Sequence, residues 1–235
     1  MKPLLKTIVW LTLFSIAMGY METAVVIYLR KLYYPQGFQF PLISISHDLA
    51  MIEFLREAAT LLMLAAIGIL TGKSTAQKFA FFIYSFAIWD LFYYIFLKLF
   101  INWPESVFTW DILFLIPVPW VGPVLAPCIV STTMILFMYY IIYYDYKGLN
   151  TSIKSGEWIL FILGSLLVIL TFMIDYFKFI SNNPTKSIWT LSGNQSMFSE
   201  VATYIPTHYN WWMFTFGELI IVSGILIYRK RIKNG

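Results

Sequence analysis

Residues 51–60, MIEFLREAAT, set Glu53, Arg56 and Glu57 inside an otherwise apolar stretch. At spacing i, i+3 and i+4 the three side chains share one face of a helix, and Thr60 continues that face. Carboxylates beside a guanidinium can exchange a proton, bind a cation or present the arginine to an anionic group. They can also pair with one another and simply lock helices together. Other apolar stretches supply companions. Thr12, Ser15, Gly19 and Glu22 form a small and polar stripe at helical spacing, Asp90 shares a face with Tyr93 and Tyr94, and His208, Thr215 and Glu218 share another. Asp175, close to Lys178, reads as an interfacial residue.

The expected site is therefore Glu22, Glu53, Arg56, Glu57, Asp90 and Glu218, with Tyr93, Tyr94, His47 and His208 in secondary positions. Five carboxylates would face one guanidinium. A buried site cannot carry such an excess of negative charge without large cost. Carboxylates must hold protons, a cation must fill the site, or water must enter from outside. The packing alternative is that Arg56 pairs with a neighbouring glutamate and one carboxylate from another helix.

Cofactor chemistry has thinner support. His47 and His208 would have to act as axial haem ligands or join carboxylates around a metal, yet no ExxH or HExxH spacing accompanies them. The cofactor is left unassigned, with a metal ion or haem as the alternatives. Cys128 is the only cysteine, which excludes an intrachain disulfide, and no CxxCH is present for covalent haem attachment. The GKST at 72–75 lacks the upstream glycine of a phosphate-binding loop and reads as a turn. A serine nucleophile at Ser131 would need a base beside it, and neither histidine is expected at that depth. Asn194-Gln195-Ser196 is a glycosylation sequon.

The elements that must position these residues follow from composition. Of the 235 residues, 60% are apolar, 20% aromatic and only 12% charged, against roughly 25% charged in soluble domains. This excludes a soluble protein and predicts an all-α, polytopic membrane bundle forming a single domain over residues 1–235. A span needs about 20 apolar residues, and six stretches qualify: 4–29, 49–70, 79–101, 121–144, 158–177 and 210–228. The first, with Lys2 and Lys6 ahead of it and Ala17-Met18-Gly19 within it, resembles a signal peptide but is expected to be retained as a span. At about 1.5 Å per residue, Glu22, Glu53 and Glu57 fall in one outer third and Asp90 and Glu218 near the midplane.

Orientation follows from the basic residues. With the N-terminus cytoplasmic, the inner side holds Lys2, Lys6, Lys73, Lys78, Lys147, Lys154, Arg229, Lys230, Arg231 and Lys233. The outer side holds Arg30, Lys31, Lys98, Lys178 and Lys186. The excess predicts both termini inside, in a plasma or inner membrane. The closing basic group reads as a cytoplasmic anchor touching the lipid bilayer. The net charge of +4 forms no patch that would bind nucleic acid.

Between the third and fourth spans lies NWPESVFTWDILFLIPVPWVGPVLAP. Pro104-Glu105 is a helix-start signal, so a short interfacial helix is expected near 104–115, followed by a proline-stiffened cap on the outer surface. The alternative is a re-entrant segment lining a cavity, which is allowed only where protein or water satisfies its backbone. Three function classes remain: a proton- or cation-handling transport protein, a membrane subunit of a larger assembly such as a respiratory complex, and an intramembrane enzyme using carboxylates as acid/base groups or metal ligands.

Overall fold

The computed structural model describes residues 2–43, 46–181 and 203–234, without the side chains of residues 2, 3 and 47. Six long helices lie among the described residues: α1 (Lys2–Tyr33), α2 (His47–Thr71), α3 (Thr75–Ile101), α4 (Leu125–Tyr146), α5 (Ser155–Ser181) and α6 (Trp211–Asn234). All six are long and apolar enough to cross a membrane, which fits a multi-pass integral membrane protein. Their ends follow local chemistry. Ser46 and Ser74 cap α2 and α3 by accepting from the Leu49 and Gln77 amides. Asn102 closes α3 in the left-handed region at φ 52°, a conformation asparagine tolerates better than most residues. The fourth helix starts at Leu125, a few residues later than its apolar run, because residues 120–123 are drawn into a strand. Pro127 falls in its first turn, where no intrahelical amide is needed.

Cross-helix contacts fix the directions. Thr12 meets Tyr84 and Thr23 meets the Tyr93 carbonyl, so α1 and α3 run parallel. Gln77 meets Asp145 and Asp90 meets Ser131, so α3 and α4 run antiparallel. Helices α5 and α6 also pack antiparallel, and glycine permits their closeness. A Cβ on Gly164 would lie 2.6 Å from Ile221 and 2.8 Å from the Gly217 carbonyl. Small residues at such crossings are how apolar helices gain van der Waals contact without a hydrophobic drive. The aromatic core Phe79–Phe137–Phe161–Tyr228 then joins α3, α4, α5 and α6.

Residues 104–115 do not form the expected helix. Residues 105–108 are bends and turns, and an antiparallel hairpin follows, β1 (Trp110–Phe114) with β2 (Trp120–Pro123). Trp110 faces Pro123, Asp111 faces Gly122, Ile112 faces Val121 and Phe114 faces Trp120, with an irregularity between Ile112 and Phe114. The reason is compositional. Trp110, Ile112 and Phe114 alternate as strand formers, while Pro117 and Pro119 force a reversal that no helix could continue through.

The hairpin is no surface cap either. The Leu115 amide reaches Glu57, ten residues into α2, and the Phe114 ring lies 6.3 Å from Phe86 and 6.2 Å from Trp89. Those positions are roughly 15–23 Å along their helices from the ends nearest the hairpin's root. On the other flank Trp120 stacks on Phe172 of α5, and a Cβ on Gly122 would come within 2.8 Å of the same ring. The segment therefore folds back between the helices instead of lying across their ends.

Candidate functional site

One face of α2 is turned inward. Glu53, Glu57 and Thr60 are buried and Arg56 is half-buried, while Ile52, Phe54 and Leu55 on the other side are exposed as a lipid-facing surface would be. Arg56 donates from Nε to Glu53 at 2.8 Å, and its Nη1 meets Glu22 of α1. Glu57 does not bond Arg56. Both its oxygens accept from the Leu115 amide, at 2.8 and 3.1 Å. Thr60 bonds back to the Arg56 carbonyl and contributes no group to the cluster. Three carboxylates therefore stand around one guanidinium, and they join α1, α2 and the hairpin.

The stripe on α1 divides in the same way. Thr12 binds the Tyr84 hydroxyl and Ser15 bonds back to the Leu11 carbonyl. Gly19 lets α3 approach, since a Cβ there would meet the Trp89 carbonyl at 2.9 Å. Only Glu22 reaches toward α2.

Asp90 and Glu218 have partners of their own. Asp90 accepts from the Ser131 hydroxyl at 2.8 Å, and Glu218 accepts from the Thr133 hydroxyl at 2.8 Å through one oxygen while the other has no partner. Ser131 and Thr133 are two residues apart on α4 and so point to opposite sides of it. The six expected site residues thus divide into one cluster, Glu22, Glu53, Arg56 and Glu57, and two carboxylate–hydroxyl pairs. His208 and Thr215 are exposed and do not join Glu218. His208 precedes the helix that begins at Trp211, so helical spacing does not govern it. The His47 side chain and the sequon at 194–196 lie outside the described residues. Among the described residues no three histidine, cysteine or carboxylate side chains come together as a metal site.

Two buried contacts were not foreseen. Arg30, counted among loop charges, donates to Asp111 at 2.9 Å, and its guanidinium lies 3.7 Å from the Trp103 ring centroid and 4.4 Å from that of Phe38. Tyr93 turns its hydroxyl toward Asp111, at 3.5 Å, instead of toward Asp90. Nothing local in the sequence brings residues 30, 38, 103 and 111 together; the hairpin does. Asp175 is likewise no mere interfacial residue. It is buried, accepting from the Tyr204 hydroxyl at 2.7 Å and from both the amide and hydroxyl of Thr207. Burial and the Asp175 carboxylate push the Tyr204 phenol up from its ordinary value.

At the opposite end of the bundle, Arg231 grips Glu157 through two nitrogens, at 2.7 and 3.0 Å, and also donates to the Ser152 carbonyl. Of the closing basic group, this residue is a clamp, while Arg229, Lys230 and Lys233 remain exposed. Nearby, a cavity of about 410 Å³ is lined by Ser74, Asp145, Asn150, Thr151 and Trp158 among others. Its lining joins the 72–75 turn to the loop between α4 and α5.

No protein-family model, curated protein or solved structure matches this chain.

Proposed function

We propose that the protein is a multi-pass membrane protein handling protons or cations, with Glu22, Glu53, Arg56 and Glu57 as the exchange site. The observation that carries this reading is the imbalance at Arg56. Two carboxylates bond the guanidinium directly and a third, Glu57, is engaged only by one backbone amide. A packing device needs one carboxylate per arginine. Two more acidic groups in a low-dielectric setting are costly unless they take up a proton or a cation, and intramembrane ionisable clusters of this kind mark ion pathways and proton relays. Asp90 and Glu218, each held by one hydroxyl, serve as separate carboxylate stations nearer the midplane. The basic-residue balance supports placing both termini in the cytoplasm, with the hairpin and the cluster toward the outer face.

The test is flux. Purified protein in liposomes with an imposed pH gradient should pass protons or monovalent cations above the level of empty liposomes. Glu53→Gln should abolish the pH dependence and Asp90→Asn should reduce it, with both proteins remaining monodisperse. Unchanged flux in both variants would reject the proposal.

A further inference from the structure

We infer that residues 110–123 form a re-entrant plug over the Arg56 cluster, with Glu57 as the latch that seats its tip. This deepens the function proposed above, but its geometry stands apart from whichever ion is exchanged.

Polar groups fasten the hairpin in two places of different character, while Trp120 and Gly122 pack on Phe172 of α5 and Val118 and Val121 join a buried cluster with Met173, Tyr176 and Ile180 of the same helix. At its root, Asp111 pairs with Arg30, and Trp103 and Phe38 cover the guanidinium. At its tip, the Leu115 amide bonds both oxygens of Glu57. Between and beyond these points the tip is built to lie in apolar surroundings. Residues 112–120, ILFLIPVPW, carry no charge, Val118 and Pro119 are buried, and the prolines at 117 and 119 remove two backbone donors that would otherwise need partners. An isolated two-stranded hairpin is marginal by itself, so its seating depends on what it touches.

The latch belongs to the cluster. The charged groups around Glu57 are Arg56 and Glu53 on its own helix and Glu22 from α1; the hairpin offers only an amide. An amide bond to a carboxylate is about twice as strong as one to a neutral acceptor. A proton on Glu57, or a cation that recruits its oxygens, therefore weakens the seating of the tip, while the Arg30–Asp111 root is untouched and acts as the hinge. Site loading then loosens the tip, which its packing on α5 continues to hold in part. A wedge with a purely structural role would have no reason to share its tip contact with an acidic cluster.

The experiment reads the tip directly. Val118, 3% exposed, is replaced by cysteine in a Cys128→Ser background. Labelling by a membrane-impermeant maleimide is then timed in proteoliposomes without any gradient. Labelling should be slow with Glu57 intact and at least about tenfold faster with Glu57→Leu, the lower end of the ratio expected for one lost charge-assisted hydrogen bond. Glu57→Gln, which keeps a neutral acceptor, should be intermediate. Ile225→Cys, 1% exposed and in the other half of the bundle, reports unfolding and should stay unlabelled throughout. Equal Val118→Cys rates with and without Glu57, or a rise shared with Ile225→Cys, would overturn the plug. Because the readout needs no flux, a plug that opens in a protein without flux would reject the exchange function alone. A Glu57-independent tip in a protein with flux would reject the plug alone.

Discussion

Arg30 and Arg56 are both enclosed at the hairpin end of the bundle, yet their surroundings are opposite in design. Arg30 has one carboxylate, Asp111, with the two side chains 8% and 2% exposed and aromatic rings against the guanidinium. Arg56 is 22% exposed and has Glu22 and Glu53 bonded to it and Glu57 one residue away. The first site balances one charge with one charge and closes around the pair. The second keeps surplus acid and stays more open to its surroundings. Balanced pairs hold helices in register; surplus acid is what a site of proton or cation exchange requires.

The largest effect should come from unbalancing the closed pair. Asp111→Leu leaves a buried guanidinium without a partner and should cost about 3–5 kcal/mol of stability, read as a fall in thermal midpoint in detergent. Adding Arg30→Met should restore most of it, because an apolar replacement of a whole buried pair is often neutral. At Arg56 the response should differ in kind: Arg56→Leu should destabilise less at acid pH than at alkaline pH, since protons can replace the lost positive charge among the glutamates. A pH-independent loss would place Arg56 in the same class as Arg30.

Thr133→Val removes the one partner of Glu218 and should cost about 1–3 kcal/mol, while adding Glu218→Leu should recover it. Gly164→Ala, pressing a methyl group against Ile221 and the Gly217 carbonyl, should cost about 1–3 kcal/mol through overpacking of α5 on α6. The smallest change is expected on the lipid side of α2. Leu55→Ala, at a position 59% exposed, should alter stability by less than about 0.5 kcal/mol. A loss as large as that at Thr133 would mean that this face is covered by protein.

The six helices were legible because length and apolarity alone identify a span, and the inward face of α2 was legible because three ionisable residues at helical spacing cannot all face lipid. Partner choice was not. Spacing within one helix says which side chains share a face, but Asp90 and Glu218 turned to Ser131 and Thr133 of α4 through helix rotations that no single helix encodes. The hairpin escaped because Pro104-Glu105 is a local signal, whereas the strand register depends on Trp120 meeting Phe172 and on Gly122 yielding space to that ring. Arg30 and Asp111 escaped with it, since each has its meaning only once the hairpin has entered the bundle.

Under the proposed function, surplus acid at Arg56, and not the balanced pair at Arg30, would carry the flux. The most direct measurement compares proton or cation flux in liposomes for Glu57→Gln and for the double variant Arg30→Met, Asp111→Leu. The account predicts that Glu57→Gln, though folded, loses gradient-driven flux, while the double variant keeps it or exceeds it through a loosened hinge. Flux retained in Glu57→Gln and lost in a folded double variant would contradict it.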